Sequence, residues 1–330
     1  MRIATLVGLV LSLVTVAGCE DESSSAPPTT GPAGGSGGIK VSLQLNWKPE
    51  PQFGGFYAAK ATGAYATNGL DVDVVAGGVG TPTVQMVGAG RVDFAVVSAD
   101  EVAIARAQGN DVVALFAVYQ TNPQGLMTHA ARGFKDIGDV FKNEGTVAMQ
   151  RGLPYAQYLE RKFGFDKVKI VPSPGGDLSA FRSDPNYSMQ CFVTSEPLAA
   201  KKAGLDVKTF LVADAGYNPY TTVLVTRGEY LKVNPQRVQS MVKAVAAGWR
   251  SYLSDPDPTN ATMRELNPTM DEQTFTAAAE AQRPLIETDE TKKSGLGVMT
   301  LERWETLCKQ LVDLKVVDKA PPASVCFVSN

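Results

Sequence analysis

The side chains able to recognise a small planar molecule fall in a few short stretches. Asn46 and Trp47 follow one alternating apolar run and Glu196 follows another, both where strands should end. An indole offers stacking area, while an amide and a carboxylate fix orientation through hydrogen bonds. The bland alternatives are Trp47 as a core filler beneath the Pro49 turn, and Glu196 as a first-turn carboxylate that only favours the helix dipole. Gly54 and Gly55 before Phe56 permit close backbone approach, and their amides at a helix start could face a ligand carbonyl or phosphate; a tight turn would need the same glycines. Tyr217-Asn218-Pro219-Tyr220 offers two rings and an amide, or else a rigid hinge without contact. Arg151 and Tyr155 belong to the opening of a further helix, where free amides beside a guanidinium suit an anionic group, unless Arg151 is simply solvated.

Other chemistries are poorly provided for. His129 is the single histidine, and neither a CxxC nor an HxxxH pair is present, so a metal site is not expected. The formal charge of −3 and the lack of Lys/Arg clusters beyond pairs such as Lys201-Lys202 and Lys292-Lys293 argue against nucleic acid as a partner. No cofactor is called for, and a monomer is expected.

Met1 and Arg2, then an apolar run from Ile3 to Val16 too short to span a bilayer, end in Val16-Ala17-Gly18-Cys19. This looks like a bacterial lipoprotein signal, which implies cleavage before Cys19, acylation of Cys19 and attachment to a membrane outside the cytoplasm. Residues 19–38 are rich in Ser, Pro, Thr and Gly and form a flexible tether by composition. An extracytoplasmic location permits a disulfide between Cys308 and Cys326, which spacing does not establish.

The elements that must position these groups alternate. Short strands are expected at residues 40–45, 70–75, 92–97, 112–119, 146–149, 168–171, 189–193 and 221–226, with helix-like stretches between most of them, an α/β pattern. Long helices follow, at about residues 235–253, 271–281 and 300–314. Two α/β lobes are expected, residues 39–122 with 222–330 and residues 123–221, with the chain crossing twice between them. A ligand would sit in the cleft, at the carboxyl ends of strands and the amino ends of helices.

Leu45-Asn46-Trp47-Lys48-Pro49, Gln52-Phe53-Gly54-Gly55-Phe56-Tyr57-Ala58-Ala59, Gly63-Ala64-Tyr65 and Asn68-Gly69-Leu70-Asp71-Val72 together resemble the start of the NMT1/THI5-like family of periplasmic binding proteins. Val87-Gly88-Ala89-Gly90-Arg91-Val92-Asp93-Phe94 and Thr194-Ser195-Glu196-Pro197 extend the likeness, which covers residues 39–255. The resemblance implies the type II binding-protein fold and the substrate-binding component of an ABC importer, with a permease and its ATPase as partners. Family members carry thiamine pyrimidine precursors or riboflavin, and distant branches carry sulfonates, taurine or nitrate. Trp47 and the aromatic crossing favour a heteroaromatic ligand over taurine or nitrate, without deciding between the pyrimidines and riboflavin; a hydroxymethyl- or formylamino-pyrimidine is the first expectation and riboflavin the alternative. Eukaryotic members make the thiamine pyrimidine phosphate with a lysine and a histidine one helical turn later; here Val97 and Glu101 take those places, and neither can form an aldimine or act as the consumed imidazole. A tethered ligand sensor is the remaining alternative.

Overall fold

The computed structural model describes residues 38–328. The expectations for the leader, for Cys19 and for most of the tether therefore lie outside the described residues. Ten strands form two five-stranded sheets. The first holds β1 (Ile39–Gln44), β2 (Leu70–Val75), β3 (Phe94–Val97), β4 (Val112–Tyr119) and β10 (Thr221–Arg227), in the order β2-β1-β3-β10-β4. The second holds β5 (Gln124–His129), β6 (Gly145–Ala148), β7 (Val168–Val171), β8 (Tyr187–Phe192) and β9 (Val207–Leu211), in the order β7-β6-β8-β5-β9. Helices flank both sheets, giving two α/β lobes. Among the described residues no helix is long and apolar enough to cross a membrane.

The pairing follows from how each strand is entered. β1 pairs in parallel with β2 and β3, because a helical crossover returns the chain to the same end of the sheet each time. β6 likewise runs parallel to β7 and β8. Strands that arrive from the other lobe run the opposite way: β10 is antiparallel to β3 and β4, and β5 is antiparallel to β8 and β9. The chain passes between sheets from β4 to β5 and again from β9 to β10. Asn122 and Asn218 tie these two crossings together. The Asn122 amide N–H donates to Asn218 Oδ1 at 2.8 Å, and Asn122 Nδ2 donates to the Pro219 carbonyl at 3.2 Å.

The core of the first lobe explains the glycine pair. The helix Gly54–Ala61 crosses the long helix Pro235–Ser254 at close range. A Cβ at Gly54 would lie 2.2 Å from ring atoms of Tyr252, and one at Gly55 would lie 2.2 Å from the Trp249 ring. Phe56 is fully buried and meets Trp249 edge to face, with ring centroids 6.0 Å apart. Gly54, Gly55 and Phe56 thus serve helix packing, and the two glycines lie within the helix itself rather than in a tight turn. An aromatic side chain on one helix needs an absent side chain on the other.

Candidate ligand-binding site

The carboxyl ends of β1, β3, β6 and β8 present the polar groups between the lobes. β1 leads directly into Asn46 and Trp47. Trp47 is half-buried, with one side against the core of the first lobe, and its indole N–H donates to Glu50 Oε1 at 3.2 Å. It is therefore neither a free ring nor a core residue. Asn46 is also half-buried, and its carboxamide has no hydrogen bond among the described residues.

Glu50 is the group in this region that the sequence pattern does not single out. Burial pushes its carboxyl up to about 7 and the Glu196 carboxylate adds to that shift, while the Trp47 hydrogen bond and Lys48 oppose it. The influence of Glu196 on Glu50 joins the two lobes electrostatically, since Glu50 follows β1 and Glu196 follows β8. Glu196 begins the helix Glu196–Lys202. Its Oε2 accepts the Phe192 amide N–H at 2.8 Å, and Oε1 has no hydrogen bond among the described residues. Burial raises its pKa, partly offset by backbone N–H donors. Two carboxyl groups that share a partly dehydrated space cannot both ionise freely.

Tyr155 opens the helix Pro154–Phe163 in the second lobe and is only 6 % exposed. Its hydroxyl donates to Gln190 Oε1 at 2.6 Å, and the Gln150 amide N–H reaches the same oxygen at 2.6 Å. Gln190 therefore fixes the loop after β6 and keeps its own NH₂ free of hydrogen bonds among the described residues. It was legible only as a polar residue inside the apolar run Met189-Gln190-Cys191-Phe192. Arg151, in contrast, is exposed and turned onto Glu160, the partner that raises its pKa. That ion pair engages the Arg151 guanidinium at the protein surface. Lys48, itself exposed, is the other cation at these strand ends.

β3 ends in fully buried Val97, and the helix Ala99–Ala107 follows with Ser98 as its cap. The Ser98 amide N–H donates to Glu101 Oε2 at 2.8 Å and its hydroxyl donates to the same oxygen at 2.9 Å. Glu101 keeps solvent access as a residue, while desolvation of its carboxyl and then Asp100 raise its pKa. Asp100 also accepts the Tyr217 hydroxyl at 3.1 Å.

The aromatic crossing belongs to the hinge. Tyr217 and Tyr220 are each 1 % exposed. The Tyr220 hydroxyl accepts the Thr300 amide N–H at 3.1 Å, and the Arg303 guanidinium lies 3.9 Å from its ring centroid. Arg303 also donates twice to the Asn218 carbonyl, at 2.8 and 3.0 Å. Tyr217, Asn218 and Tyr220 accordingly brace the crossing, and the two buried rings offer no open face to a ligand. His129 stacks on Phe181 with centroids 4.1 Å apart and has Nε2 2.8 Å from the Phe181 carbonyl, a packed position. A surface depression of about 720 Å³ lies elsewhere, against the helix Glu272–Ile286, where Lys202 and Asp271 join the lobes through a 2.7 Å ion pair. No strand end lines it.

The architecture is that of the periplasmic binding proteins. The aliphatic sulphonate binding protein SsuA of Escherichia coli superposes with a TM-score of 0.66 at 13 % identity, over 88 % of this chain and 92 % of that one. The chain belongs to the NMT1/THI5 like family, whose model matches residues 50–259. Among curated proteins it is 24 % identical to the riboflavin-binding protein RibY of Chloroflexus aurantiacus, over 78 % of this chain and 76 % of the relative. It is 21 % identical to the formylaminopyrimidine-binding protein of Halalkalibacterium halodurans, over 94 % of both chains. A 4-amino-5-hydroxymethyl-2-methylpyrimidine phosphate synthase of Saccharomyces cerevisiae, THI11, is 21 % identical over 66 % of this chain and 68 % of its own.

Proposed function

We propose that this protein is the substrate-binding component of an ABC importer, capturing a small nitrogen-rich heteroaromatic ligand between Trp47 and Glu196. A thiamine pyrimidine precursor, hydroxymethyl- or formylamino-pyrimidine, is the ligand class favoured. Lipidation at Cys19 would tether the folded body outside the cytoplasm as a monomer beside its permease and ATPase. The observation that carries this reading is the unbalanced charge of the strand ends. Glu50, Glu101 and Glu196 all have raised carboxyl pKa values, while Arg151 is paired away with Glu160. The carboxyl oxygens of such a site can accept hydrogen bonds from amino groups and ring N–H, and a ligand that donates them favours the ionised carboxylates. The names of the two binding-protein relatives support the same class, and riboflavin, with its ring N–H and flat tricycle, is the second reading.

A synthase activity is disfavoured by residue chemistry. The place of the lysine is taken by Val97, buried inside β3, and the place of the histidine by Glu101, bound to Ser98. A thermal-shift screen against the pyrimidines, riboflavin, taurine, an alkanesulfonate and nitrate tests the ligand class. At about 100 times Kd a ligand adds about 2.7 kcal/mol, a readily measured rise in Tm. Stabilisation by an anion alone would overturn the proposal. Small-angle scattering should also show the radius of gyration falling with ligand, as the lobes close about the two crossings.

A further inference from the structure

The three cysteines among the described residues are all buried and reduced, but their settings differ. Cys191 lies within β8, where burial raises its thiol pKa well above the ordinary value. Cys308 and Cys326 meet. Cys308 is carried by the helix Leu301–Asp313, and Cys326 closes the short turn Ala323–Val325 that packs on that helix. Each thiol shifts the other, lowering the pKa of Cys308 and raising that of Cys326, while the Cys326 thiol donates to the Pro322 carbonyl at 3.8 Å.

Both ends of the contact are held in place. Trp304, one turn before Cys308, stacks on Phe327 with centroids 5.8 Å apart and planes 7° from parallel. The Cys326 carbonyl accepts the Ala114 amide N–H of β4 at 2.8 Å, and the Val328 amide N–H returns to the Ala114 carbonyl at 2.9 Å. The helix and the C-terminal segment that carry the two thiols are thus packed together and fixed to the sheet. The same helix also braces the hinge, through Thr300 on Tyr220 and Arg303 on Asn218.

We propose that Cys308 and Cys326 form an oxidisable pair that closes to a disulfide by exchange with a disulfide oxidant, stapling the C-terminal segment to the helix that braces the hinge. The Cys308 thiolate, favoured by its lowered pKa, attacks one sulfur of the oxidant and forms a mixed disulfide. The Cys326 thiolate then displaces the oxidant. Two electrons pass to the oxidant, which departs as two thiols carrying the protons the cysteines lost. The inference rests on the proposed extracytoplasmic function only for where the oxidant is met in the cell.

The full chain, reduced and then incubated with oxidised glutathione, should be alkylated under denaturing conditions and mapped by mass spectrometry. The expected result is a linked Cys308–Cys326 peptide pair two hydrogens lighter than the free thiols, fully alkylated Cys191, and a Tm about 5 °C above that of the reduced protein. The double variant Cys308→Ser/Cys326→Ser should melt at the same temperature with or without oxidant. Alkylation of both Cys308 and Cys326 after oxidation, separate glutathione adducts on each, or a linked form with no rise in Tm would overturn the inference and leave the ligand assignment untouched. The linked form in vitro, together with reduced thiols in protein taken from cells, would count against the extracytoplasmic reading while upholding the pair.

Discussion

The cleft and the hinge employ similar side chains to opposite ends. At the proposed cleft, Trp47 is half-buried and Glu196 leaves one carboxylate oxygen without a hydrogen bond among the described residues. At the hinge, Tyr217 and Tyr220 are buried and both hydroxyls are engaged. A ring contributes to ligand affinity only through an accessible face, whereas a buried ring with a satisfied hydroxyl contributes to the stability of the empty protein. Variants should therefore separate cleanly, cleft residues moving Kd and hinge or core residues moving Tm.

The largest effect is expected away from the cleft. Gly55→Val places a side chain where the Trp249 ring stands 2.2 Å from the Cβ position, so the helix crossing must open, at a cost of about 3 kcal/mol or more. Denaturant melts would register this as a low midpoint, and a near-native midpoint would break the account of the glycine pair. Next come Trp47→Ala and Glu196→Gln. Loss of a stacking ring costs about 1 to 3 kcal/mol by analogy with base stacking, and loss of a charged acceptor about 1.5 to 3. Calorimetry should show Kd rising about tenfold to over a hundredfold with the empty-state Tm nearly unchanged. Should Trp47→Ala unfold the protein instead, Trp47 would belong with the hinge tyrosines.

Arg303→Ala sharpens the contrast from the hinge side. It removes a cation over Tyr220 and two hydrogen bonds to the Asn218 carbonyl, and should lower stability by about 1 to 3 kcal/mol with little change in Kd measured well below Tm. The smallest effect concerns protons. With Glu50 held at about 7 against 4.5 when unfolded, the folded state keeps a proton that the unfolded state loses. Glu50 therefore contributes a stability term that is full below about pH 4.5, declines as pH rises to about 7, and is flat beyond. A melting series across that window should be shallower for Glu50→Gln. A ligand that donates N–H to Glu50 favours its ionised form, so its binding should tighten between about pH 6 and about pH 8.

Much of the parallel framework is legible in the sequence, because β1, β2 and β3 alternate or run apolar between clear turn residues. β5 and β9 carry no such signal. Gln124-Gly125-Leu126-Met127-Thr128-His129 mixes a glycine and a histidine into its run, and Val207-Lys208-Thr209-Phe210-Leu211 is short. Both become strands by pairing across the second lobe, a tertiary gain that local pattern does not contain. The site divides in the same manner. The placement of Trp47 and Glu196 at strand ends follows from periodicity. The weight of Glu50 arises first from burial within the fold, with a further push from Glu196, 146 positions away, and Tyr220 is held by the helix that begins at Leu301. Those separations leave no trace in a window of neighbouring residues.

One of the two edge strands of the first sheet, β4, has every one of its residues buried although it has a strand partner on one side only. Its other side is met by Gly297, whose carbonyl accepts the Ala117 amide N–H at 3.1 Å, and by Phe327 through a bridge to Ala114. Those covering residues are synthesised long after β4. Until they arrive, an apolar strand with unpaired amides and carbonyls is a template for another chain, so loss of residues 295–328 should lead to intermolecular strand pairing and aggregation beyond a simple loss of stability.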